Sequence, residues 1–212
     1  MPAPSSRVVR PLLFFICLLP VAHLTWRGLT DRLGADPIRE IQIETGLWAL
    51  RFLAATLTIT PLRRVTGWNQ LVKYRRMLGL FTFFYASIHL AWWIGIDWFF
   101  DFPAMWEEIV KHKYILVGMA TFLLMVPLAV TSTKGWVRRL SGGRWKRLHR
   151  LVYLCALGGT IHYLWAVKKD TFYPVVYFVL FAVLLGYRVY VWWGGRRRAV
   201  VHAHADPEPV PR

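Results

Sequence analysis

Residues 148–167 read LHRLVYLCALGGTIHYLWAV, twenty residues in which Arg150 is the only fixed charge. At 1.5 Å per residue a helix of that length crosses a hydrocarbon layer of about 30 Å. In lipid such a segment has to be helical, because only a helix satisfies its own backbone groups there. The stretch also carries two imidazoles, His149 and His162. An ionisable side chain at depth is costly, and it turns to the bundle interior for a partner or a function.

The rest of the 212-residue chain has the same character. It is 56% hydrophobic and 16% aromatic with a mean hydropathy of +0.38, the profile of a membrane protein. The formal charge of +16 falls in short clusters between apolar blocks, which is a topology signal and excludes nucleic acid as a partner. Cys17 and Cys155 each lie inside an apolar block, so neither a disulfide framework nor a Cys-x-x-Cys metal site is available. No Cys-x-x-Cys-His sequence provides for covalent haem attachment. The start, with Arg7 and Arg10 ahead of LLFFICLLPVAHLTW, has the form of a signal peptide without a cleavage site and reads as a retained first helix.

Six segments are long and apolar enough to be candidate spans: about 11–26, 46–62, 77–99, 114–131, 148–167 and 172–193. The second is short and contains Arg51. With the N-terminus inside, 19 Lys and Arg fall on the cytoplasmic side and 7 outside, with most acids opposite. That asymmetry predicts an all-α bundle of six transmembrane helices, N-in and C-in, over residues 1–195. The connections read as short. Residues 196–212, basic and then Pro-rich, read as a disordered cytoplasmic tail.

Two histidines reach matched depth. His89 lies twelve residues into the third segment and His162 fourteen into the fifth, roughly 18 Å and 21 Å along helices running the same way. Two neutral imidazoles at one level on different helices suit the two axial positions of a b-type haem. Zinc would recruit further ligands, and none is evident. His149 sits at the cytoplasmic mouth, as a haem ligand, a flavin contact or an interfacial residue. An ideal helix turns His149 and His162 about 140° apart, and Gly158 and Gly159 between them permit close approach by a ring or a neighbouring helix. Arg51 either meets a haem propionate or snorkels outward. His23, His112, His202 and His204 read as solvated or interfacial.

The stretches LGADPIREIQIETG, FLAATLTITPLRR, RRMLGLFTFFYASIHL, LAVTSTKGW and RWKRLHRLVYLCALGGTIHYLWAVK run in order over most of residues 33–169. They resemble the MsrQ (formerly YedZ) family, the haem-binding membrane subunit of the bacterial periplasmic methionine sulfoxide reductase system. The wider group is the ferric-reductase-like transmembrane domain. The resemblance implies a b-type haem, an FMN, a place in the bacterial inner membrane, and electron delivery to a periplasmic molybdopterin-containing MsrP-type reductase. It matches His89, His149 and His162 to the family's haem-associated histidines. Two-haem relatives carry a second histidine on the third helix where this chain has Arg75, which argues against an inner haem.

One haem in the outer half does not cover the whole bilayer, so a second carrier is expected below it. The cluster Arg75, Arg76, Arg144, Lys146 and Arg147 suits a flavin phosphate. The donor would be a cytoplasmic flavin reductase or the quinone pool, and the outer aromatics Trp98, Phe99, Phe100, Phe102 and Trp106 a docking surface. On this reading the chain moves electrons and has no substrate-reducing site of its own. The alternatives are a quinol- or ferric-reductase-type cytochrome b and a non-redox membrane anchor.

Overall fold

The computed structural model describes residues 6–205, with side chains from 8 to 194. Those residues form an all-helical chain without strands. In order come α1 (Ser6–Leu29), α2 (Pro37–Thr66), α3 (Val72–Trp92) with a π-turn at Trp93–Asp97, and α4 (Phe102–Lys111). Then follow α5 (Lys113–Val130), α6 (Lys134–Arg139), α7 (Ser141–Leu148), a 3-10 turn at His149–Leu151, α8 (Val152–Ala166) and α9 (Phe172–Ala205). Five of the six expected segments lie mainly on one helix each, and the fifth, 148–167, is divided between the end of α7, the 3-10 turn and α8.

Four stretches have both the length and the apolarity to cross a membrane: Val8–Leu29, Asn69–Asp97, Lys113–Val130 and Phe172–Gly194. The other two fall short for different reasons. In α2 the ends carry Arg39, Glu40, Glu44, Arg63 and Arg64, with Arg51 between them. In α8 the 3-10 turn at His149 leaves only 15 residues of regular helix. The connections also hold more structure than expected. The segment after the π-turn folds as α4, capped by the Asp101 carboxylate on the Ala104 N–H at 3.1 Å, and residues 134–148 fold as α6 and α7. The expected disordered tail begins on the last turns of α9. Its final residues, 206–212, and its side chains lie outside the described residues.

The helix α2, with charges at both ends and Arg51 between, is the central one. One face of α2 packs Ala49 and Phe52 against Cys17 of α1 and Phe81 and Tyr85 of α3. The other packs Leu50, Leu53 and Leu57 against Ala156 of α8 and Phe181 and Leu184 of α9. A third cluster, Trp93, Met105 and Ile115, ties the π-turn, α4 and α5 together. Gly158 of α8 rides directly on Thr121 of α5, and Gly159 on Leu50 of α2, where a Cβ would stand 3.3 Å from Leu50 Cδ2. These glycines admit neighbouring helices.

At two of the prolines inside helices, a side chain of another helix enters the hydrogen-bond ladder. Pro61 has no N–H for the carbonyl of Leu57, four residues back. Arg188 of α9 donates to that oxygen at 2.8 Å, while its other arm donates to Tyr153 Oη at 3.1 Å with the guanidinium over the Tyr153 ring. At Pro20 in α1, the buried Tyr85 hydroxyl inserts into the ladder. It donates to the Cys17 carbonyl at 2.9 Å and accepts the Val21 N–H at 3.1 Å. Each break becomes an inter-helix tie.

Candidate functional site

The bundle has two chemically distinct ends. All acids among the described residues, from Asp31 to Asp170, stand on connections or helix ends at one of them, which we call the acidic end. The residues 63–76 and 134–150 gather at the other, the arginine-rich end.

His89 of α3 and His162 of α8 meet toward the acidic end, with ring centres 6.1 Å apart and planes at 84°. Both are held in the same way. His89 Nδ1 lies 2.8 Å from the carbonyl oxygen of Gln42 on α2, and His162 Nδ1 lies 2.7 Å from that of Tyr114 on α5. A carbonyl only accepts, so each Nδ1 carries the proton and each Nε2 keeps its lone pair. Four residues past each carbonyl stands a glycine. A Cβ at Gly46 would sit 3.0 Å from His89 Cε1, and one at Gly118 only 2.7 Å from His162 Nδ1. Residues i and i+4 share one helix face, so the glycine clears the path by which the imidazole reaches the carbonyl. Carbonyl plus glycine is a cradle, and the chain builds it twice.

A hydrogen bond from the inner nitrogen to a carbonyl fixes the tautomer of a metal-binding histidine and raises its basicity. Metal–imidazole bonds are about 2 Å, and a ring nitrogen stands roughly 1 Å from its ring centre, so two imidazoles flanking one metal have centres about 6 Å apart. The observed spacing fits. Among the described residues no three His, Cys, Asp or Glu side chains converge on a point where an ion would sit. The pair therefore suits a metal whose other ligands come with it, as in a haem. The Gln42 side-chain Nε2 is 3.4 Å from His89 Nε2, and its Oε1 is buried without a hydrogen-bond partner.

His149 stands at the arginine-rich end, apart from the pair. Its ring stacks on Trp145 with centres 3.9 Å apart, and its Nε2 lies 3.1 Å from Thr131 Oγ1. The Thr131 hydroxyl spends its one proton on the Pro127 carbonyl at 2.6 Å. It must therefore accept from His149, which carries its proton on Nε2. Arg51 finds its counter-charge on its own helix, 3.5 Å from Glu44, with its guanidinium over Trp48. Of the expected phosphate cluster, Arg75 is half-buried, whereas Arg76, Arg144, Lys146 and Arg147 are exposed. At the acidic end Phe99, Phe100, Phe102 and Trp106 are exposed, while Trp98 packs beside Trp93.

The residues that the sequence did not single out are Gln42, Gly46, Tyr114, Gly118 and Thr131. The four that build the cradles share a signal, a glycine four residues past the accepting carbonyl on each of two facing helices. It acquires meaning only once each helix is known to face a histidine.

The family model of the ferric reductase like transmembrane component matches residues 45–160, from the first turns of α2 through most of α8. The chain is thus a multi-pass bacterial membrane protein of the ferric-reductase-like class. Within that class it belongs to the MsrQ family. The protein-methionine-sulfoxide reductase heme-binding subunit MsrQ of Herminiimonas arsenicoxydans is 47% identical over 197 residues, 92% of this chain and 90% of that protein. The MsrQ of Ralstonia nicotianae is 45% identical over 98% of this chain and 96% of its own length. That of Xanthomonas campestris pv. campestris is 48% identical over 92% of this chain and 91% of its own. No solved structure matches the chain.

Proposed function

We propose that the chain is the membrane electron-transfer subunit of a protein-methionine-sulfoxide reductase system, with one b-type haem held between His89 and His162. When bound there, a haem would supply reversible one-electron transfer, with His89 and His162 as the residues that hold it. The observation that carries this reading is the doubled cradle. It ties Nδ1 of each imidazole to a backbone carbonyl, leaving Nε2 as the ligating nitrogen of two rings whose centres are 6.1 Å apart. With both sides of the metal filled by protein, the site has no open position for substrate and serves transfer alone.

Six spans with both termini in the cytoplasm follow from the distribution of Lys and Arg, which puts the arginine-rich end inside and the pair in the periplasmic half of the bacterial inner membrane. Arg75, with Arg76, Arg144, Lys146 and Arg147 around it, offers positive charge to the phosphate of an FMN at the cytoplasmic face. Reducing power enters there from a flavin reductase or the quinone pool. It leaves at the acidic end, where the exposed Phe99, Phe100, Phe102 and Trp106 receive a periplasmic molybdopterin-containing reductase of the MsrP type.

The test is haem per chain on purified protein. Wild type shows a reducible haem band, His89→Ala and His162→Ala lose most of it, and His23→Ala keeps it, since His23 is exposed on α1 beside Trp26. Equal haem in all three variants would overturn the ligand assignment. A colourless wild type would favour the anchor.

A further inference from the structure

The arginine-rich half of the bundle holds two guanidinium groups that no carboxylate answers. Arg75 at the start of α3 makes no hydrogen bond or ion pair among the described residues, although it is half-buried. It lies within electrostatic reach of Arg188 and Tyr153, and of His149. Arg188 is fixed by Leu57 O and Tyr153 Oη, and its Nε is buried with no partner. A guanidinium has five N–H donors, and two of these are spent, so three remain to be offered. Nine of the chain's eleven acids stand at the other end, and Asp206 and Glu208 lie outside the described residues.

Two like charges at depth repel each other and lose hydration, a cost that an anion between them removes. The rest of the local structure keeps the cost in place. Arg188 is bound to the carbonyl that Pro61 leaves open, so its charge cannot swing out to water without exposing Leu57 O. The Arg188 Cζ also stands over the Tyr153 ring, 5.1 Å from the ring centre, so Tyr153 holds the guanidinium by its ring and by its hydroxyl.

We propose that Arg75 and Arg188 form an anion seat in the arginine-rich half of the bundle, taking the phosphate or carboxylate of a bound cofactor. Arg188 supplies a rigid planar fork, and Arg75 the mobile second charge. The seat rests on the cofactor reading above. It adds Arg188 and Tyr153 and limits the exposed Arg76, Arg144, Lys146 and Arg147 to the rim.

The test uses the full chain in nanodiscs, as wild type and as Arg75→Gln. The substitution breaks no hydrogen bond in the protein, so the fold survives it. One titration compares FMN with riboflavin, which lacks the phosphate. The other reconstitutes haem-free protein with haem b or its dimethyl ester, which masks the carboxylates. Wild type is expected to favour the charged member of one pair by ~10-fold or more, and Arg75→Gln to bring that ratio near one without changing the neutral member's affinity. A shift in the flavin pair identifies the phosphate, and a shift in the porphyrin pair the propionate. Arg188→Lys, which keeps the charge but loses the fork, is expected to fall between the two. Ratios unaltered by Arg75→Gln in both pairs sink the seat. If wild type takes up neither cofactor, the cofactor reading fails by itself, and the seat is then read from inorganic phosphate. A rise in unfolding temperature with phosphate in wild type and not in Arg75→Gln upholds it, and an equal response in both overturns it.

Discussion

The imidazoles at the two ends of the bundle are presented in opposite ways. His89 and His162 give Nδ1–H to backbone carbonyls, each against a glycine, so Nε2 keeps its lone pair, with Gln42 Nε2 3.4 Å from that of His89. His149 commits Nε2 to the Thr131 hydroxyl, and Trp145 covers a face of its ring. All three are half-buried histidines of one bundle, and the sequence separates them only by depth along their helices. What separates them is which nitrogen the neighbouring helix has engaged. A ligand needs a lone pair on its outer nitrogen and a tie on its inner one; the pair at the acidic end meets that condition, whereas His149 carries its proton on Nε2.

The sharpest way to break this comparison is to fill a cradle. In Gly118→Ala the new methyl would stand 2.7 Å from His162 Nδ1, so the ring must leave the Tyr114 carbonyl. Losing the hydrogen bond that orients a metal-binding histidine weakens metal affinity about 10- to 100-fold, and haem titration of the purified variant should fall in that range. Gly46→Ala, at 3.0 Å from a ring carbon, should sit at its lower edge. Gly142→Ala on α7, with nothing within 4 Å, is the control at the arginine-rich end and should match wild type. Haem affinity unchanged by Gly118→Ala would mean that the cradle positions nothing.

The arginine-rich end should instead report in stability. Arg188→Met leaves the Leu57 carbonyl buried and unpaired, at a cost of about 1–3 kcal/mol, seen as a lower unfolding midpoint in detergent. Tyr85→Phe removes the hydroxyl from the other proline break but should cost only about 1 kcal/mol. The groups it frees, Cys17 O and Val21 N–H, are four residues apart in one helix and can close on each other, a recourse that Leu57 O lacks because Pro61 has no N–H. Equal losses in the two variants would remove this distinction between the breaks.

The contrast also shows what the sequence could carry. The long helices and the matched depth of His89 and His162 were legible, because hydropathy and the 1.5 Å rise act along the chain. The cradles were not, since Gln42 and Gly46 lie 47 and 43 residues from His89 and only packing of α2 on α3 joins them. For Arg51 the sequence offers a haem propionate or the outer interface as alternatives, and packing adds Glu44 and Trp48 beside it on the same helix. The amphipathic α4 was passed over because its aromatics read as a loop surface, whereas Met105 and Ile109 face inward against Trp93 and Ile115.

The smallest effect belongs to the acidic end's own electrostatics. Glu40 accepts the Gly34 N–H at 2.6 Å and pairs with Arg27 of α1 at 2.6 Å, clasping the α1–α2 connection. The Gly34 N–H first, and Arg27 after it, hold its carboxyl below the usual carboxylate range. A depressed folded value means that the clasp contributes fully above the unfolded value and is lost as pH falls through the folded one. Glu40→Gln should therefore unfold slightly earlier than wild type at neutral pH, and the gap should close as the buffer is taken below pH 4.5, the ordinary value for this carboxyl. The effect should also shrink with added salt, because the pair is partly exposed. A gap that persists unchanged into acid would assign the loss to shape alone and leave the clasp without an electrostatic part.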